Sequence, residues 1–454
     1  MTVENQIIKA NNSEMENGNK QKTTPGLNLA GYFQSASGLG EGVRSTVRAL
    51  KARNVPFVLN NCNFNLEYHK SETGVNDFSI DNPHPVNVVQ INADSMVRFV
   101  NSFGKDYLKN RYNIGFWLWE MLRFPREWFY AFSLFDEIWT PSNFCVEAIA
   151  AVSPIPVVKI PLAIDLPAPA LTRADVGLPH DKFVFLFIFD FCSSSDRKNP
   201  AALIAAFLKA FGADNKDVLL FIKSANADVL PVKAAEMRAR AAGAGNIKFV
   251  DQKMSRDEIN NLIFHSDCYV SLHRAEGFGL TPAEAMFYGK PVIATNYSAN
   301  TDFMNVNNSF PVKYRLKAVE ENFGFFIKGD LWADADVEHA AEMMRFVFEN
   351  PAEAKRVGTR AAEDIRENLS PSKVGQQIES RLEIISDLTE NFAHNLAGEA
   401  AKARSEYARA RVEFAEAESQ QMQERVRMME ESRFWKIRNQ WFKLKRTLGV
   451  TKEY

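Results

Sequence analysis

The chain has 454 residues, 46% of them hydrophobic and 24% charged, with a net charge of −2; this is a globular composition with room for two domains and appendages, and it excludes a dedicated nucleic-acid binder. Four cysteines (Cys62, Cys145, Cys192, Cys268) lie in or beside apolar runs without metal-ligand spacing, which reads as buried thiols in a reducing compartment. No apolar run approaches transmembrane length, and the polar segment 1–26 lacks a signal-peptide core, so a disordered lead-in to a cytoplasmic protein is expected.

Leu27 to Phe33 reads as the first strand, followed by a loop with Gly38, Gly40 and Gly42 and a helix to about Ala52. Glycines after a strand suit either a phosphate-facing loop or a plain tight turn. Val55–Leu59 and Val86–Ile91 are short apolar runs of the parallel-strand kind. Ile114–Trp119 reads as another, closed at its carboxyl edge by Glu120, with Pro125 opening an aromatic-rich helix. Ligands of open parallel sheets bind beyond the carboxyl ends of strands, so Glu120 suits an acceptor site. Trp117 and Trp119 fit sugar stacking and core packing equally well.

Proline-rich, non-periodic sequence over 166–182 reads as a linker. Phe183–Phe189 then has central-strand hydrophobicity, and Arg197 and Lys198 stand just before the helix that Pro200 opens. A guanidinium fork and an ammonium point charge at a strand's carboxyl end suit a diphosphate. Strands and helices alternate onward, Ser255 capping one helix. Asp334 and Asp336 imitate a metal-binding pair but precede a helix, where capping is the better reading. No histidine and carboxylate cluster suggests a metal, and no cofactor is expected.

The central stretch runs from Cys268 to Ala294. An apolar strand leads into Glu276-Gly277-Phe278-Gly279-Leu280-Thr281-Pro282-Ala283-Glu284, and Gly289 and Pro291 end the helix. Thr281 reads as its N-cap, with Pro at the first helical position. A strand, a glycine turn and a helix N-terminus form an anion site. Glu276 and Glu284 beside it suit a ligand with hydroxyls as well as phosphates, a sugar nucleotide. Thr281 and Glu284 also stand in the capping-box arrangement, which accounts for Glu284 without any ligand. Residue chemistry alone leaves both readings open.

Beyond Leu396, Ala400, Ala403, Tyr407, Ala410, Phe414, Ala417, Gln421 and Met428 form a weak heptad seam, suiting a coiled coil or a single solvated helix. Phe434, Ile437, Trp441, Leu444 and Leu448 would share one helical face among cations, the pattern of a helix on anionic lipid or on a partner protein.

Glu276 to Met286, followed by Gly289-Lys-Pro-Val-Ile-Ala294, resembles the signature of the family-4 (group 1) retaining glycosyltransferases. The resemblance implies the GT-B fold: α/β, two doubly wound Rossmann-like domains facing a cleft, here with a C-terminal helical extension. Alternation of strands and helices on both sides of the linker agrees independently. The expected division is a lead-in (1–26), an acceptor-side domain (27–165), a linker (166–182), a donor-binding domain with closing helices (183–392), a long helix or coiled coil (393–431) and a basic amphipathic helix (432–454).

By resemblance, Glu284 would bind the nucleotide ribose and Glu276 the donor sugar. The amides of Gly277, Phe278, Gly279, Leu280 and Thr281 would hold the diphosphate, with Gly38 and Gly40 nearby across the cleft. The family commonly has an Arg at the strand end and a Lys several residues on; here Asp190 and serines replace the first, leaving the division between Arg197 and Lys198 open. The Trp117-x-Trp119-Glu120 pattern is similar to bacterial polysaccharide-building enzymes. Hexosyl transfer from a nucleotide-diphosphate sugar to a surface polysaccharide or lipid-linked glycan is therefore expected, with an isomerase, a phosphorylase or a non-catalytic assembly protein as alternatives. Self-association through 396–431 and the inner face of the plasma membrane as a docking surface for 432–454 complete the expectations.

Overall fold

The structure is a computed structural model describing residues 24–64, 75–322, 324–395, 407, 409, 411–416, 418–424 and 427. The first domain contains β1 (Leu27–Gly31), α1 (Gly38–Ala52), β2 (Phe57–Asn61), β3 (Val86–Gln90), α2 (Met96–Phe103), β4 (Tyr112–Phe116), β5 (Glu137–Thr140), α3 (Asn143–Ala150) and β6 (Val157–Lys159). Its parallel sheet has the order β2-β1-β3-β4-β5-β6. Both faces are covered, so strands such as β3 are buried at every position, the polar Asn87 and Gln90 included.

After β6 the chain runs without helix or strand to residue 182. The second domain follows with β7 (Phe183–Ile188), α4 (Ser195–Lys198), α5 (Pro200–Phe211), β8 (Val218–Ser224), α6 (Pro231–Arg240), β9 (Ile247–Asp251), α7 (Arg256–His265), β10 (Cys268–Ser271), α8 (Leu280–Phe287), β11 (Val292–Thr295) and β12 (Phe310–Val312). Its parallel sheet has the order β12-β11-β10-β7-β8-β9. The order reverses between β7 and β10, and a crevice at such a switch point is where open α/β sheets take ligands. An antiparallel hairpin, β13 (Tyr314–Ala318) and β14 (Leu331–Ala335), precedes α9 (Val337–Glu349), α10 (Pro351–Asn368) and α11 (Pro371–Asn395).

Two features lock the domains together. Helix α11 crosses back and packs on α1, burying Val374, Ile378 and Leu382 in one cluster with Val47 and Leu50. Arg381 on α11 pairs with the fully buried carboxylate of Glu137 on β5. On the other side, the segment joining β13 to β14 docks on the first domain. Phe326 stacks on Trp119 with ring centroids 5.9 Å apart, Phe325 meets Trp128 at 4.7 Å, and Arg123 forks onto Asp330 at 2.7 and 2.8 Å.

Several expectations change in detail. The strand expected over Ile114–Trp119 stops at Phe116, and the helix expected after Pro125 is a 3₁₀ segment, Arg126–Leu134. Trp117 and Trp119 are 1% and 3% exposed and pack among Phe124, Trp128 and Phe132, which decides for core and against a free sugar platform. Of the seam residues, Tyr407 and Phe414 are helical and exposed. Ala400, Ala403, Ala410, Ala417 and Met428 lie outside the described residues, as do 1–23 and the basic segment 432–454.

Candidate active site

The loops after β7 and β10, the two strands flanking the switch point, carry the central charges. After β7, Asp190 accepts from the Cys192 amide, and Ser194 and Asn199 take left-handed backbone angles (φ 65° and 57°) that turn the chain into α4 and then α5. Asn199 caps α5, accepting from the Ala202 amide, and Pro200 needs no amide partner in its first turn. The short helix between these turns delivers Arg197 and Lys198 side by side. The loop after β10 is tied to them through the backbone, the Arg274 amide donating to the Arg197 carbonyl at 2.7 Å.

Glu276 receives both cations. Lys198 Nζ donates to Oε1 at 2.5 Å and Arg197 Nη1 to Oε2 at 3.1 Å. Burial alone would raise the Glu276 pKa, but Lys198, Arg197 and the neighbouring His273 outweigh it and hold the carboxyl down at about 2. Burial lowers the Lys198 pKa, with Glu276 opposing. Arg197 is pushed upward: burial works against its charge, but Glu120 and Glu276 prevail. The Arg197 fork also donates to the carbonyls of Ala275 (2.7 Å) and Ser193 (3.0 Å), so its position is fixed by backbone on both sides.

Glu120 reaches this group from the first domain, 3.5 Å from Arg197 Nη2. The domains touch beside it: Ser142 Oγ donates to the Gly277 carbonyl at 2.9 Å, and the Cys145 thiol lies 3.2 Å from that carbonyl and 3.0 Å from that of Trp119. The glycine turn therefore rests on the first domain's β4 and β5 ends, and the cleft is closed.

The helix start differs from the sequence expectation. Gly279, at φ 92°, is the N-cap; α8 begins at Leu280, and no side chain caps it. Thr281 lies inside the first turn and accepts a 2.7 Å hydrogen bond from the Tyr269 hydroxyl. The capping-box account of Glu284 is thereby removed. Glu284 is 1% exposed and ion-paired through Oε1 with Arg256, while its Oε2 is buried without a partner. Burial raises its pKa, against the pull of Arg256.

Across the cleft, Ser37 caps α1 by accepting from the Gly40 amide, so Gly38 and Gly40 lie in the first helical turn. A Cβ on Gly40 would stand 2.2 Å from the Ser35 carbonyl oxygen, a contact only glycine avoids. The same turn carries Glu41, held by Arg44 at 2.9 Å and Arg48 at 2.7 Å. Arg256 leads the cations that hold Glu41 at about 2 against the opposing effect of burial, which brings this turn to the Glu284 side of the cleft.

The remaining candidates separate. Leu280 is half-buried against the core, while Phe278 is turned inward onto Phe303, centroids 5.5 Å apart, and only its backbone is available to a ligand. Asp190 grips Asn226 at 2.8 and 2.9 Å, a structural task. Asp336 caps α9, and Asp334 pairs with Arg315 at 3.1 Å. Among the described residues, no group of three His, Cys, Asp or Glu is placed to hold a metal ion. Sequence reasoning passed over Arg256 and Glu41. Arg256 follows Ser255 beyond the carboxyl end of β9, the placement that singled out Arg197 and Lys198, and the same criterion finds it.

Residues 171–364 match the family described as glycosyl transferases group 1. Over 131 residues the chain is 28% identical to a trehalose synthase of Pyrococcus horikoshii, a match covering 29% of this chain and 26% of that protein. The fold resembles HepE of Anabaena, solved in complex with UDP and glucose (TM-score 0.57, 13% identity, 79% of this chain and 99% of that one). It also resembles a sucrose-phosphate synthase of Thermosynechococcus elongatus (0.57, 14%, 80% and 100%) and a glycosyltransferase of Rickettsia africae (0.55, 15%, 80% and 98%). At these identities the likeness is one of fold, the two-domain GT-B arrangement.

Proposed function

We propose, starting from the group 1 glycosyl transferase match of residues 171–364, that this protein is a retaining glycosyltransferase moving a hexosyl unit from a nucleotide-diphosphate sugar to a glycan acceptor. The observation that carries the reading is the cluster of Arg197, Lys198, Glu276 and Glu120 in the crevice at the β7/β10 switch point. Two adjacent cations match a departing diphosphate. The carboxylate between them matches sugar hydroxyls, which donate where the cations now do.

In this reading the bond from the sugar's anomeric carbon to the diphosphate oxygen breaks, and the acceptor hydroxyl forms the new bond on the same face. The acceptor proton passes to the leaving phosphate oxygen. Arg197, Lys198 and the amides from Gly277 to Thr281 stabilise the charge that develops on the diphosphate, usually the largest catalytic contribution. Glu276 orients the donor sugar, Glu284 the ribose, and Glu120 faces the acceptor. Uridine is the first base to test, since the Anabaena protein of the same fold was solved with UDP. A growing surface polysaccharide or lipid-linked glycan is the acceptor class we favour, with the basic segment 432–454 docking on an anionic inner-membrane surface and 396–431 available for self-association.

Thermal-shift screening against a panel of nucleotide sugars tests the donor, since a ligand of the folded state raises the melting temperature as its concentration passes its dissociation constant. NMR of the product's anomeric proton tests retention. No shift with any nucleotide sugar overturns the reading; an inverted product removes the retaining assignment alone.

A further inference from the structure

Glu284 is the second acid of the glycine-turn motif, yet one of its oxygens lies buried with no donor at all. Such an atom costs free energy unless a partner arrives. Its other oxygen is taken by Arg256, which comes from a different segment, the first turn of α7. The exposures divide the roles: the Glu284 side chain is 1% exposed and that of Arg256 37%, so the guanidinium stands between the carboxylate and solvent.

We propose that Arg256 is the positioning residue for Glu284, holding the buried carboxyl group aimed while the donor site is empty and sharing it with the donor ribose when the site fills. The inference rests on the donor-site reading above. A ribose diol brings two hydroxyl donors. One satisfies the free Oε2 and the other competes with Arg256 for Oε1. A released Arg256 stays in an acidic setting, because Glu41 on α1 faces it from the other domain.

The charges around Glu284 give the idea its test. Arg256 (α7) and Arg48 (α1) favour the carboxylate, Glu41 (α1) opposes it, and the phenols of Tyr269 (β10) and Tyr288 (beyond α8) also face it. Arg256 is the largest of the favourable influences. Without it, burial is left nearly unopposed and the proton is held to higher pH. A protonated Glu284 is a poor acceptor for a diol. An ionised one without Arg256 is a buried, unpaired charge.

Arg256→Met should therefore show two opposite trends. Measured by calorimetry with UDP, binding is weaker than wild type by about tenfold or more at the acid end of the accessible pH range and approaches wild type toward the alkaline end. Melting without ligand runs the other way. A carboxyl whose folded pKa is raised loses its stabilising contribution as pH rises through that value, so the melting deficit of Arg256→Met against wild type grows with pH. Arg256→Lys keeps the cation and restores both profiles, and Arg256→Met/Glu284→Gln abolishes the pH dependence. For turnover, the loss in Arg256→Met falls on the donor KM rather than kcat.

Should Arg256→Met be too unstable to purify, Arg256→Gln is put through the same pair of measurements. Wild-type and variant profiles that run parallel in pH overturn the inference and leave the donor site standing. A wild type that binds neither UDP nor any other nucleotide of the thermal-shift panel, with melting profiles also parallel, overturns both. A melting deficit that grows with pH while no nucleotide of the panel binds keeps the positioning role and removes the ligand from it.

Discussion

Glu120 and Glu276 belong to different domains and hold the same guanidinium: Arg197 places Nη2 3.5 Å from the first and Nη1 3.1 Å from the second. One side chain thus bridges the cleft at the point where charge would develop on a leaving group. The geometry couples domain closure to the charge balance at Arg197, since opening the cleft strips it of one of its two acids.

Arg197→Ala should reduce kcat by about 10²–10³, the usual cost of removing one fixed charge partner of a transition state. Glu276 would keep Lys198, but Glu120 would lose its cation. Breaking a buried pair costs about 3–5 kcal/mol, and the half-exposed Glu120 puts this case toward the lower end, read as a fall in melting temperature. Arg197→Lys should keep the charge yet fail to span both acids, giving an intermediate kcat. Steady-state kinetics with calorimetric melting separates the two effects.

Glu276 supplies a pH signature. Its carboxyl is held at about 2, below the ordinary carboxylate value of 4.5, so its stabilising contribution is complete above the ordinary value and disappears as pH falls toward 2. Glu276→Gln should unfold with a shallower acid limb in that window and lose transfer activity at neutral pH. Melting temperatures taken across the acid range check the slope; an unchanged limb removes Glu276 from the ion network.

Cysteine reactivity reports the closed cleft. Cys145 is buried beneath Gly277, and burial pushes its thiol up to about 11, whereas Cys192 is exposed. Iodoacetamide reacts with thiolates, so native protein at neutral pH should be alkylated at Cys192 while Cys62, Cys145 and Cys268 stay protected until denaturant is added. Peptide mass mapping reads this directly. Labelling of Cys145 in native protein would mean that the contact between Gly277 and Trp119 opens readily.

Deletion of residues 432–454 should lower flotation with anionic vesicles while leaving transfer to a water-soluble acceptor unchanged. The segment from Arg433 to Tyr454 holds seven basic residues and one acid, interleaved with Phe434, Trp435, Ile437, Trp441 and Leu444, and each cation near an anionic surface contributes about 1 kcal/mol. Equal flotation of the truncated and full-length chains would rule out the lipid role.

The parts legible from sequence were those fixed by local chemistry. The apolar runs of β7 and β10, the Pro200 start of α5 and the glycine turn at 277–279 all follow from short-range rules. Thr281 was misread because the competing capper is a backbone feature, the φ of Gly279, and because the partner of its hydroxyl, Tyr269, sits twelve residues back on β10. The pairings of Arg197 with Glu120 and of Arg256 with Glu284 join separate segments, and no periodicity announces them. The tryptophans beside Glu120 kept two readings until their neighbours were known, because a buried ring and a sugar platform use the same residue type.

The return of α11 onto α1 bears on how this protein can be handled. A fragment cut at the linker would lose the strip formed by Val374, Ile378 and Leu382, leaving Val47 and Leu50 bare, and Glu137 would be stranded without Arg381. Split-protein complementation, separate crystallisation of the halves and domain shuffling between relatives must therefore carry 371–395 along with the amino-terminal piece, or supply it in trans.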